Sequence, residues 1–334
     1  MYPPTILLTH TLPPEWIASL SGRVQAITGP VDATRLDPAF EPYLSIAEGV
    51  LCLLTIPVRH DLLERMPNLR VVSNMAVGYD NIDVPLCTAR GIPVGNTPGV
   101  LTEATADLTL ALLLAAARCL PQASLDAREG RWSTWRPAGW LGTDLYGATL
   151  GIIGMGKIGK AVAERAIGFG MKILYSDEIA RPDVESTLGA VRFPFDVILR
   201  QSDFVSLHTP LTEATRRLIN ASTLRLMKPT AILINAARGP MVDTTALVHA
   251  LREGWIAAAA LDVTDPEPLP SSHPLYSLPN CLIVPHIGSA TRNVRRRMAE
   301  MACENLLAGL EDRPLPYCVN PEIYTHPRKT DPHV

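Results

Sequence analysis

Short apolar, β-branched runs alternate with helix-length stretches almost from one end of the chain to the other, and few folds satisfy that rhythm. The runs lie at 6–9 (ILLT), 50–54 (VLCLL), 71–76 (VVSNMA) and 149–154 (TLGIIG). Beyond residue 149 further candidate strands fall at 172–176, 204–208, 231–235, 256–262 and 281–285. Parallel neighbours in a sheet can be joined only by a crossover of a dozen or more residues, usually a helix, so the pattern predicts an α/β chain with parallel sheets. The second strand set implies one six- or seven-stranded doubly wound domain. Residues 101–119 carry Thr102 and Glu103 as start signals and are apolar on nearly every face, which predicts a buried helix. A second helical stretch, 290–310, follows the last strand and lets the chain return to the first domain. Two domains are therefore expected: a substrate domain from 1–99 and 288–325, and a second domain from 100–287. The polar tail, 326–334, is expected to be disordered.

Composition narrows the function classes. A length of 334 residues with 47% hydrophobic content is enough for two cores. Thirty Lys plus Arg against 33 Asp plus Glu leave a formal charge of -3, which supplies no broad positive field for nucleic acid or an anionic membrane. Any anion must be caught locally. The six cysteines form no C-x-x-C pair and sit in mostly apolar surroundings, so they read as reduced core residues of a cytoplasmic protein. No apolar run approaches the ~20 residues needed to span a bilayer. Neither nucleic-acid nor membrane partners are expected.

The run Gly154-Met155-Gly156-Lys157-Ile158-Gly159 fits G-x-G-x-x-G and stands between an apolar strand and an amphipathic stretch. Glycines allow a tight turn and close backbone approach, so that the N–H groups and dipole of the following helix can hold a pyrophosphate. The next strand ends at Asp177, 23 residues past Gly154 (177 − 154), where a carboxylate is expected to grip the adenosine ribose hydroxyls. This is a Rossmann-type arrangement. Asp177 and Glu178 would repel a 2′-phosphate, so NADH is expected over NADPH, with Arg181 nearby keeping NADP as the second choice.

Three later segments stand at strand ends: Asn235-Ala236-Ala237-Arg238-Gly239, Leu261-Asp262-Val263 leading to Pro266-Glu267-Pro268, and Pro285-His286-Ile287-Gly288-Ser289. Ligands of open α/β sheets bind at such carboxyl ends. With NMAVGYDNID, NTPGVLTEATADL, GIIGMGKIG, INAARG, ALDVTDPEPLP and PHIGSAT, the chain resembles the D-2-hydroxyacid dehydrogenases from about residue 6 to residue 320, specifically their glyoxylate/hydroxypyruvate reductase branch. The resemblance implies a flavodoxin-like substrate domain beside the Rossmann-type one, and NAD-dependent reduction of a small 2-oxo acid.

The same resemblance implies the residue roles. Arg238, Glu267 and His286 take the catalytic positions, and Asp262 the position that orients the cofactor. An Arg can clamp a carboxylate bidentately. A His can supply a proton near neutral pH as charge develops on the carbonyl oxygen, and a carboxylate beside it favours the charged ring. Cofactor contacts are further expected from Thr105, His208, Thr209, Pro210, Ala236, Ala237, Gly288 and Ser289. Val77 and Gly78 are expected to bind the substrate carboxylate through backbone N–H groups, and Leu54 to form an apolar wall. No metal is expected. Trp132, Trp135 and Trp140 precede the cofactor domain where relatives reach across to a partner subunit, and with the all-apolar helix they imply a homodimer. Phosphite or another D-2-hydroxyacid as substrate stays open, as does a nucleotide-sensing corepressor-like regulator that keeps the same Arg, Glu and His.

Overall fold

The structure, a computed structural model, describes residues 2–325; Met1 and the tail 326–334 lie outside the described residues. The chain divides into two compact units, Met1–Leu101 with Thr291–Val334, and Thr102–Ala290.

The first unit holds a five-stranded sheet of β1 (Thr5–Leu8), β2 (Gln25–Thr28), β3 (Gly49–Cys52), β4 (Val71–Asn74) and β5 (Val94–Gly95). The order is β2-β1-β3-β4-β5 with every pairing parallel, the flavodoxin-like order. Strands β3 and β4 are buried at every position, which is why they read as continuous apolar runs. Ile6, Leu8, Leu51 and Val71 pack on the helix Arg292–Leu310 through Ala299, Ala302, Cys303 and Leu306. Gly309 of that helix lies against Val71 so closely that a Cβ would sit 2.5 Å from the valine side chain.

The second unit carries seven parallel strands: β6 (Thr149–Ile153), β7 (Lys172–Ser176), β8 (Val191–Arg192), β9 (Phe204–Leu207), β10 (Ile232–Asn235), β11 (Ala258–Leu261) and β12 (Cys281–Ile283). Their order is β12-β11-β10-β9-β6-β7-β8, so the winding reverses between β6 and β9. One face packs on the helices Thr102–Ala117 and Lys157–Ile167 through Leu110, Leu113, Val162 and Ala166, against Leu150, Ile152, Phe204 and Ile234. The other face packs Val205, Leu207, Leu233 and Ala259 on Leu247 and Leu251 of the helix Thr244–Arg252.

The expected strands are present, the one at 172–176 with the bounds read and most others shorter. The 50–54 and 256–262 runs end as strands at Cys52 and Leu261, because their last residues leave the ladder to form loops. The helix expected over 101–119 spans Thr102–Ala117, with Thr105 and Thr109 buried among its apolar side chains. All six cysteines are free thiols, and Cys52, Cys87 and Cys303 are buried.

Candidate functional site

In the second unit one register row crosses six strands. Ser176 of β7 is opposite Ile153 of β6, Ile153 opposite Leu207 of β9, Leu207 opposite Asn235 of β10, Asn235 opposite Leu261 of β11, and Leu261 opposite Ile283 of β12. Asp177, Gly154, His208, Ala236 and Asp262 are the next residues on five of those strands, and His286 follows the sixth by three. Adjacent strands lie roughly 4.8 Å apart, so residues scattered over more than a hundred positions leave the sheet along one edge.

At the reversal of winding stands the glycine-rich turn. Gly154 has φ +94°, and a Cβ there would fall 2.7 Å from Thr209 Cγ2 and 2.8 Å from the His208 carbonyl. Gly156 is different, because a Cβ on it meets nothing within 4 Å. Gly156 also caps the helix Lys157–Ile167, whose first N–H groups receive no side-chain acceptor. Unclaimed N–H groups beside open space suit the pyrophosphate of a dinucleotide. Asp177 closes the turn from the neighbouring strand: Oδ2 accepts the Met155 N–H at 2.8 Å and Oδ1 the Ile179 N–H at 3.0 Å. Burial alone would raise this carboxyl, but those two N–H bonds and the Arg181 guanidinium outweigh it and hold Asp177 below the usual carboxylate range. Arg192 of β8 donates to the carbonyls of Asp177 and Glu178 at 2.8 and 2.9 Å, fixing the turn from its far side.

His286 has φ +51°, in the left-handed region, and Asp262 holds it there. The Asp262 carbonyl accepts the His286 N–H at 2.9 Å, while its carboxylate accepts the N–H groups of Ile287 at 2.6 Å and Gly288 at 2.9 Å. Burial raises the Asp262 carboxyl, opposed by those N–H donors and the nearby imidazole. Thr105, 4% exposed, donates to the Gly288 carbonyl at 3.2 Å, so the helix Thr102–Ala117 braces the same turn. The ring then meets Glu267: Nδ1 and Oε1 are 2.5 Å apart, and the second carboxylate oxygen accepts the Thr264 N–H at 3.2 Å.

Arg238 leaves β10 through a turn tied by Asn235, which is fully buried. Asn235 Nδ2 donates to the Arg238 carbonyl at 2.9 Å, and Oδ1 accepts the Ala237 N–H at 3.1 Å. Gly239 cannot be replaced without displacing backbone, since a Cβ would lie 1.8 Å from the Thr264 carbonyl oxygen. That contact fastens the Arg238 turn to the segment leading to Glu267. His208, just after β9, has Nε2 2.7 Å from the Ser206 hydroxyl and Nδ1 buried without a partner; burial lowers the imidazole to about 4, so the ring is neutral.

The expected residues of this unit thus gather along one sheet edge. Sequence reasoning missed Asn235 and Arg192, although an Asn closing an apolar strand was a signal for the first. In the first unit, Val77 and Gly78 lie in the loop after β4 and are half-buried, while Leu54 follows β3 and is 37% exposed. Among the described residues no cluster of His, Cys, Asp or Glu could hold a metal.

The chain is similar to known proteins. The profile of the D-isomer specific 2-hydroxyacid dehydrogenase NAD binding domain matches residues 110–288. A glyoxylate reductase of Korarchaeum cryptofilum is 47% identical over 321 residues, 96% of this chain and 97% of the relative. An NADPH-dependent glyoxylate/hydroxypyruvate reductase from Sinorhizobium meliloti, solved with NADP and malonate, is 34% identical with a TM-score of 0.84, covering 95% of this chain and 97% of that one. The D-lactate dehydrogenase of Aquifex aeolicus, solved with NAD and lactic acid, is 28% identical with a TM-score of 0.84, covering 94% and 98%. The edge built from Gly154, Asp262, Glu267 and His286 therefore belongs to an NAD(P)-dependent oxidoreductase, and the chain is a member of the D-isomer specific 2-hydroxyacid dehydrogenase family, in its glyoxylate reductase branch.

Proposed function

We propose that this enzyme reduces small 2-oxo acids, glyoxylate to glycolate and hydroxypyruvate to D-glycerate, with NADH as the preferred cofactor. The observation that carries the reading is the His286–Glu267 pair, 2.5 Å apart on a turn that Asp262 holds in a left-handed conformation. A bound nicotinamide supplies the hydride; the chain supplies charge, proton and orientation. The imidazole of His286, engaged through Nδ1 with Glu267, gives a proton to the carbonyl oxygen in reduction and takes it back in oxidation. Glu267 stabilises the imidazolium from which that proton leaves. Arg238 clamps the substrate carboxylate, as a planar guanidinium does best. Thr105, Ala236, Ala237, Thr209, Pro210 and Ser289 border the cofactor.

The NADH preference rests on Asp177. Its carboxylate, held ionised by the Met155 and Ile179 N–H groups, suits ribose hydroxyls and repels a 2′-phosphate. Arg181, 3.5 Å from the same carboxylate, tempers that repulsion. A homodimer is supported by the segment before β6, where Trp132 (63%), Trp135 (79%), Leu141 (72%) and Tyr146 (87%) are exposed. Six free cysteines suit the reducing cytoplasm.

A panel of glyoxylate, hydroxypyruvate, pyruvate and phosphite, each assayed with both cofactors, tests the proposal. The two reductase substrates should turn over fastest, with kcat/KM at least ~10-fold higher for NADH than NADPH given like-charge repulsion at ~4 Å. Turnover of phosphite alone, or of none of the four, would refute it.

A further inference from the structure

Tyr175 of β7 is fully buried, and its hydroxyl is engaged in two directions. It donates to Glu185 Oε1 at 2.6 Å and accepts the Arg181 N–H at 2.8 Å. The Arg181 carbonyl in turn accepts the N–H groups of Val184 and Glu185, both at 3.0 Å. Pro182 follows, and the residue before a proline has little backbone freedom left. Arg181 is thus fixed at both of its backbone polar groups. The helix that it precedes, Pro182–Leu188, is rooted in the core by Val184, 1% exposed. Lys160 of the helix Lys157–Ile167 donates to Asp183 at 2.8 Å and ties the two helices together.

A fixed backbone sets where a side chain starts. The Arg181 guanidinium ends beside Asp177, with Nη2 3.5 Å from Oδ2, and its Nε is buried with no partner among the described residues. Asp177 does not depend on this contact, because the Met155 and Ile179 N–H groups hold its two oxygens. A buried donor kept without an acceptor is unfavourable unless a ligand brings one, and a guanidinium fork fits a phosphate best. Asp177 is the carboxylate on the ribose side, so the anion that suits this donor is one carried on that ribose.

We propose that Tyr175 and Glu185 are positioning residues that hold Arg181 for the 2′-phosphate of NADP, and so set how far the enzyme can use NADPH. The inference rests on the proposed preference for NADH and names the residues that limit it. The hydroxyl of Tyr175 matters here, whereas its ring serves the core.

The test compares the parent with Tyr175→Phe, Glu185→Ala, Glu185→Gln and Arg181→Ala. Calorimetry on the cofactor-free proteins gives the affinities for adenosine 2′,5′-bisphosphate and for AMP, and kinetics give KM and kcat with each cofactor. Tyr175→Phe keeps the buried ring, so the fold should hold. Its bisphosphate Kd and NADPH KM should rise about fivefold, while its AMP Kd, NADH KM and NADH kcat stay within about twofold. Glu185→Ala should behave alike, and Glu185→Gln, which still offers the hydroxyl an acceptor, should recover most of the loss. Arg181→Ala should lose at least about tenfold in bisphosphate affinity. A parental ratio of bisphosphate to AMP affinity in Tyr175→Phe, whatever its Tm, would overturn the inference and leave the NADH preference intact. Equal losses for both nucleotides would overturn it as well. A parent that favours NADPH would refute the NADH preference, while the inference would still stand on the shifted ratios of the variants.

Discussion

At the scale of single residues, the chemistry depends on neighbours that set a charge state. Glu267 Oε1 lies 2.5 Å from His286 Nδ1, so a Gln in its place removes a negative charge that favours the charged ring. In Glu267→Gln, kcat/KM for reduction, which needs the charged ring, should begin to fall at lower pH than in the parent. Oxidation of the hydroxy acid, which needs the neutral ring, should persist to lower pH. An unchanged profile in both directions would withdraw the role of Glu267. His208 makes a different claim, about stability. Its folded value of about 4 lies below the 6.5 of an exposed imidazole, so the unfolded chain takes up a proton first as pH falls. Stability should therefore be lost between pH ~6.5 and ~4, by an amount of order 3 kcal/mol. Thermal unfolding at pH 7 and 4.5 checks this: His208→Asn should lose less Tm across that interval than the parent, and an equal loss would contradict it.

At the scale of elements, the turn between β6 and the helix Lys157–Ile167 separates two reasons for having glycine. Gly154 needs its positive φ and has no room for a Cβ, whereas Gly156 has room in the free chain and lacks it only where a pyrophosphate would lie. Gly154→Ala should therefore lower both Tm and NADH affinity, the strain alone costing about 1–3 kcal/mol. Gly156→Ala should keep Tm within about a degree and weaken NADH binding. Fluorescence titration beside thermal unfolding distinguishes them, and equal behaviour of the two variants would contradict the assignment. Much of this level was legible beforehand, because apolar runs such as 71–76 and 149–154 carry their own signal and the glycine motif names its turn. Strands β2, β5 and β8 were not legible. Positions of β2 alternate little and are mostly exposed, and β5 and β8 have only two residues each, too few to show a period. Likewise Arg192 carries no signal in the sequence, since its partners are backbone carbonyls brought to it only by the fold.

At the scale of the whole molecule, the order β12-β11-β10-β9-β6-β7-β8 decides which distant segments share an edge, and motif spacing alone cannot convey that. It explains why Asp177, Gly154 and His286 come to one sheet edge although residues between them number in the tens to a hundred. The exposed Trp132, Trp135, Leu141 and Tyr146 are the ground for the proposed homodimer. Light scattering at micromolar concentration should give a dimer mass, and a fully active monomer would contradict that. The account as a whole turns on one comparison: turnover of glyoxylate with NADH by the parent and by His286→Ala, with NADH affinity measured on both. Loss of the general acid should cut kcat by ~10²- to 10⁴-fold while NADH binds as before. Near-parental turnover in His286→Ala, or loss of NADH binding in step with activity, would contradict the account.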